Sequence, residues 1–187
     1  ASNTYTVTKT ADTADGTCDA ADCSLREAVI AANSNVNHSV IVFGVNGTFN
    51  LTIPGASDDL AATGDLDITK DLTILGNGAN LTVINGNNLD RVFHLLNSNV
   101  VIQNVTIRGG SAPEGGGLLL APASLILNFS VVRENTATST GFAGGGLKIS
   151  NNSEVEINQS AFIGNNTPGS GGAILNAFYV QPHSSQT

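Results

Sequence analysis

The sequence predicts an all-β protein, a right-handed parallel β-helix (solenoid) with an N-terminal strand and a short amphipathic capping helix. Three observations lead there. Short apolar runs recur at intervals of about 25 to 30 residues, the signature of a repeat architecture. Glycine clusters recur in step with them, and a helical pattern stands out only once, ahead of the first run. The composition agrees: charged residues are 12% of the 187, Trp and Met are missing, and small polar residues are abundant. Such residues suit tight turns and stacked ladders, not long helices.

Taken in order, Tyr5 to Thr10 alternates β-favouring side chains and reads as a strand. An Asp- and Gly-rich loop follows from Ala11 to Asp22. Cys18 and Cys23 are the two cysteines and read as a local disulfide, against two free thiols; a disulfide would imply an oxidising compartment. Zinc is a poor reading by spacing, since there is no second cysteine pair and His38, His94 and His183 are far apart in sequence. Ser24 and Glu27 then form a capping box, and Leu25, Ala28, Val29 and Ala32 fall on one helical face that must lie against something apolar. Asn33-Ser34-Asn35 ends the helix.

From Ser39 on, three stretches align without gaps: Val100 to Gly110, Leu125 to Asn135 and Val155 to Asn165. The alignment puts Val100, Leu125 and Val155 in one column and Ile102, Leu127 and Ile157 in another. Ile107, Val132 and Phe162 make a third, with Gln103, Asn128 and Asn158 as a polar column. Gly115-Gly116-Gly117, Gly144-Gly145-Gly146 and Gly171-Gly172 mark a corner turned once per repeat, because glycine reaches backbone angles closed to other residues. One repeat cannot bury its own apolar face, so repeats must stack. This divides the chain into an N-terminal cap (1–38), four to five coils (39–178) and a tail (179–187), one structural domain overall.

The net charge of −8 argues against nucleic acid and anionic lipid as partners. No apolar run is long enough to span a bilayer, so this segment is not expected to insert in a membrane; no basic-then-apolar leader precedes Ala1, which reads as a mature N-terminus.

The string Cys23-Ser24-Leu25-Arg26-Glu27-Ala28, with Ala31-Ala32-Asn33 after it, resembles the hallmark of the CSLREA-domain proteins, a group of bacterial and archaeal surface or secreted proteins. Thr63 to Ile68, Asp90-Arg91-Val92-Phe93 and Thr106 to Gly110 extend the likeness over most of 5–118. The repeats at 162–165 and 171–174 resemble those of the chlamydial polymorphic outer membrane protein type. The resemblance implies a parallel β-helix on an exported protein, commonly one module of something larger, and it brings no catalytic residues.

The candidate sites follow from residue type. Ser24, Arg26 and Glu27 read as structural cap residues, Arg26 pairing with Asp65 or Asp67. Asp12, Asp15, Asp19 and Asp22 crowd one loop and are calcium candidates, against plain turn formation; no other cofactor is expected. No catalytic set is evident. Were the chain an enzyme, Asp65, Asp67 and Arg91 would carry it, since polysaccharide-cleaving β-helices use acids on one face of the coil. Aromatic content of 5% leaves little for sugar stacking. Asn37, Asn46, Asn50, Asn80, Asn151 and Asn165 are candidate glycosylation acceptors. The expectation is a non-catalytic extracellular or cell-surface module, structural or adhesive, partnered by itself, other surface proteins or glycans, and able to assemble end to end into filaments or a surface layer. The alternative is a polysaccharide lyase or glycoside hydrolase.

Overall fold

A computed structural model of the protein describes residues 2–56 and 58–177. Strand β1 (Asn3–Val7) and helix α1 (Leu25–Asn33) come first. The chain then visits three sheets in the same order five times. The first pass is β2 (Ser39–Phe43), β3 (Gly47–Asn50) and β4 (Leu66–Ile68), and the second is β5 (Leu72–Leu75), β6 (Thr82–Asn85) and β7 (Phe93–Leu95). The third is β8 (Asn99–Gln103), β9 (Thr106–Arg108), the short β10 (Ser111–Ala112) and β11 (Leu118–Leu120). The fourth repeats it with β12 (Ser124–Asn128), β13 (Val131–Arg133), β14 (Thr136–Ala137) and β15 (Leu147–Ile149). The fifth is β16 (Glu154–Asn158), β17 (Ala161–Ile163) and β18 (Ile174–Asn176). The sheets run β1-β2-β5-β8-β12-β16, β3-β6-β9-β13-β17 and β4-β7-β11-β15-β18, with a β10-β14 pair beside them. The strand pairs are parallel, so the described chain is all-β apart from α1.

Register follows the apolar pattern because a one-residue slip would turn each buried side chain outward. Ile41, Ile74, Ile102, Leu127 and Ile157 are successive ladder partners, as are Leu72, Val100, Leu125 and Val155. In the second sheet the column is Phe49, Ile84, Ile107, Val132 and Phe162. In the third it is Leu66, Phe93, Leu118, Leu147 and Ile174. The buried members of these columns form the core, and truncating one such as Leu127 to alanine should cost about 2–5 kcal/mol.

Polar ladders run beside the apolar ones. Asn158 Nδ2 donates to Asn128 Oδ1 at 3.0 Å, and Asn128 Nδ2 to Gln103 Oε1 at 3.4 Å. The glycine corners are left-handed at Gly115, Gly144 and Gly171, with φ of 59°, 64° and 78°. Their neighbours are needed for close stacking, since a Cβ on Gly116 would lie 2.4 Å from the Thr136 carbonyl oxygen. A second corner is left-handed without glycine, at Asn104, Phe129 and Gln159 (φ 60°, 49° and 45°), directly after the polar column. Its residue types carry no signal for that conformation, Asn excepted.

β1 spans Asn3–Val7, not Tyr5 to Thr10, because the Thr8 amide leaves the sheet to donate to the Cys23 carbonyl. Ser24 caps α1 in the reciprocal capping box with Glu27, and Cys18 and Cys23 form a disulfide beside it. The apolar face of α1 packs against β1, β2 and β4. Phe178 and the 179–187 tail, with Tyr179 and His183, lie outside the described residues.

Candidate functional site: an acidic patch under the 51–64 loop

Between β3 and β4 the chain makes a long excursion that folds back over the start of the third sheet. Asp58 organises it, accepting from the amides of Leu60, Ala62 and Thr63 and from the Thr63 hydroxyl. Burial works to raise the Asp58 pKa, and these donors overcome it and hold the carboxyl below its usual range. Gly64 closes the loop in a left-handed conformation, 2.9 Å from its amide to the Ile53 carbonyl; a Cβ there would lie 2.2 Å from the Gly55 oxygen.

Arg26 anchors the loop to the helix and is 0% exposed. It does not pair with the Asp65 or Asp67 carboxylates. Its Nε and Nη2 reach the two oxygens of Asp12 at 2.7 and 3.1 Å, and it donates to the carbonyls of Ala61, Gly64 and Asp65. The reason is reach into the turn that leads to β4: the carbonyls of Ala61, Gly64 and Asp65 converge on the guanidinium, and Asp12 supplies the counter-charge. Asn33, seven residues on and two turns along the same helix face, donates to the Asp67 carbonyl at 2.7 Å and accepts from the Thr69 amide at 2.9 Å. Together they bond alternate groups along β4, a role for Asn33 that the sequence reading missed.

Asp65 and Asp67 flank Leu66 on the outer face of β4. Asp65 Oδ2 lies 2.6 Å from Arg91 Nε without an aligned hydrogen bond between them. Burial, followed by the charge of Asp67, pushes Asp65 up to about 8 against the opposing pull of Arg91. Arg91 also donates to the Glu114 carbonyl. Asp67 is fully buried, takes the Ala61 amide at 3.0 Å on Oδ2, and meets His94 Nδ1 at 3.2 Å on Oδ1. His94 is its ladder partner on β7. The exposed Asp59 brings Oδ1 to 3.7 Å from the same nitrogen. So the structure gathers Asp65, Asp67 and Arg91 into one patch and adds His94 and Asp59. Sequence separation hid His94; the ladder register, once known, places it opposite Asp67.

The four acids of the N-terminal loop go separate ways. Asp12 serves Arg26 and also accepts from the Thr52 and Ile53 amides. Asp19 accepts from the Ala21 and Asp22 amides, bonds that lower its pKa. Asp22 pairs with Lys9, and Asp15 gives its amide to Glu27. Among the described residues these four do not form a metal-holding group. Of the candidate glycosylation acceptors, Asn37, Asn46, Asn50, Asn80 and Asn151 are exposed. Asn165 is half-buried, with Nδ2 donating to the Val132 carbonyl.

Among the described residues no helix is long and apolar enough to cross a membrane. Comparison with protein-family models, curated proteins and solved structures finds no match to this chain.

Proposed function

We propose that the chain is a non-catalytic extracellular or cell-surface module, a right-handed parallel β-helix of CSLREA type that serves as a rigid structural or adhesive rod. The observation that carries this reading is the unbroken register: five passes whose columns stay in step give a stiff stack. The disulfide fits an oxidising compartment. The acids that an enzyme would use also favour a scaffold, since Asp65 and Asp67 are 4% and 0% exposed beneath the loop and lie out of reach of a polymer. A stack of this kind, with exposed loops, suits display to surface proteins or glycans.

End-to-end association is a variant favoured by one observation. Ile157 and Ile174 are 36% and 37% exposed although every earlier member of their columns from β2 and β4 onward is fully buried. Heterologous contacts that do not close produce filaments. Incubation with pectin, alginate and other glycans, with and without calcium, should yield no cleavage products. Cleavage that disappears in Asp65→Asn and Asp67→Asn would instead favour the lyase or hydrolase reading. Light scattering and electron microscopy test the variant, which predicts concentration-dependent rods and is lost if only monomers form.

A further inference from the structure

The histidine and the two acids that meet at the mouth of the loop have a geometry beyond what a scaffold needs. One ligand atom from each of His94, Asp67 and Asp59 lies within 4.8 Å of the other two, and His94 Nδ1 is 3.2 Å from Asp67 Oδ1 and 3.7 Å from Asp59 Oδ1. Tetrahedral zinc with nitrogen and oxygen ligands at about 2.0–2.2 Å spaces its donors about 3.4 Å apart, so the histidine-centred pair of distances already brackets that value. We propose that Asp59, Asp67 and His94 bind a divalent transition-metal ion of the zinc class, which fastens the 51–64 excursion to β4 and β7.

The donor set selects the ion. One imidazole nitrogen with two carboxylate oxygens suits zinc or a neighbouring first-row ion, whereas calcium seeks six to eight oxygens. The supporting contacts are those a metal ligand requires. Asp67 is fixed by the Ala61 amide on its second oxygen, and it stands opposite His94 in the ladder, so two of the three ligands are held by the sheet. Asp59 is the third and comes from the loop; at 70% exposure it leaves the site open to solvent, where an ion enters and a water completes the fourth position.

Independent of this geometry, the patch is short of positive charge. Asp59 and Asp67 face His94 there, while Arg91 is taken up by Asp65 and Asp90, and Arg26 by Asp12. Buried carboxylates are unfavourable without a counter-charge, and a dication supplies one where no lysine or arginine among the described residues pairs with Asp67. The ion would act structurally, joining a loop to two strands.

The test is titration of chelator-treated protein with zinc sulfate, read by calorimetry and by thermal unfolding. One equivalent should bind, and at a hundredfold excess over the dissociation constant the melting midpoint should rise by about 5–10 °C. Cobalt in place of zinc should give visible absorption bands of a low-coordinate site. Asp59→Asn changes an exposed loop residue and should leave the circular dichroism spectrum intact while abolishing the shift and the cobalt bands; His94→Gln should do the same. Asp19→Asn and His38→Gln should leave them unchanged. No zinc-dependent change in the wild-type protein, or full binding retained by Asp59→Asn and His94→Gln, would overturn the proposal and reduce the cluster to a carboxylate–histidine hydrogen bond.

Discussion

The two ends of the third sheet meet different surroundings. At β4 the backbone edge is answered by a helix: Arg26 bonds the carbonyl of Asp65, and Asn33 bonds the carbonyl of Asp67 and the amide of Thr69. At β18 the column that begins with Leu66 ends in Ile174, which is part-exposed. The contrast shows that a helix can stand in for a strand at a sheet edge. What it needs is long or forked side chains at i and i+7, about 10 Å apart along the helix and so spaced to match roughly three residues of the strand, with an apolar face to seal the core behind them. The same comparison says where stability should be concentrated, since one end has its polar groups satisfied in a buried network and the other carries part-exposed column members at Ile157 and Ile174.

The largest effect is expected at the sealed end. Arg26→Ala leaves the Asp12 carboxylate without its cation and three carbonyls without a donor, costing about 3–5 kcal/mol and lowering the melting midpoint by roughly 6–20 °C. An unchanged melting curve would deny the node its importance. Within one column the ends can be set against the middle: Leu127→Ala should cost about 2–5 kcal/mol and Ile157→Ala about half as much or less, measured by urea unfolding. Equal losses would erase the contrast. Opening the six-residue disulfide loop by Cys18→Ser with Cys23→Ser should cost about 2 kcal/mol, again at the sealed end.

The smallest effect is a pH dependence. Burial works to raise the Glu27 pKa, but the amides of Ser24 and Asp15 and the Thr13 hydroxyl hold it down at about 2, below the usual 4.5. A carboxyl lowered on folding adds stability that is fully present above pH 4.5 and is lost as pH falls through 2. Glu27→Gln should therefore be less stable than the wild type near neutrality, by roughly 1 kcal/mol, with the gap closing between pH 4.5 and 2. A constant gap across that window would place the effect elsewhere.

Much of the stacking was legible because apolar columns obey register. Val100, Leu125 and Val155 could be aligned by eye, and they are ladder partners. The capping box was legible for a similar reason, since its chemistry is local in sequence. The partner of Arg26 was not. Asp12, Asp65 and Asp67 are all acids within plausible reach, and only the fold of two loops decides among them. The corner at Asn104, Phe129 and Gln159 was hidden because side-chain type and backbone conformation disagree there, and stacking overrides local preference. His94 was hidden because its relation to Asp67 exists only once β4 and β7 are paired.

The vertical order of strands underlies all of this, and cysteine cross-linking along an outward-facing column tests it most directly. Arg108, Arg133 and Ile163 occupy successive rungs of the second sheet. Adjacent rungs are about 4.8 Å apart, within the span of a disulfide, whereas two rungs are about 9.6 Å apart and beyond it. The pairs Arg108→Cys with Arg133→Cys and Arg133→Cys with Ile163→Cys should each oxidise readily within one chain, and Arg108→Cys with Ile163→Cys should not. A cross-link in the third pair, or none in the first two, would contradict the stack.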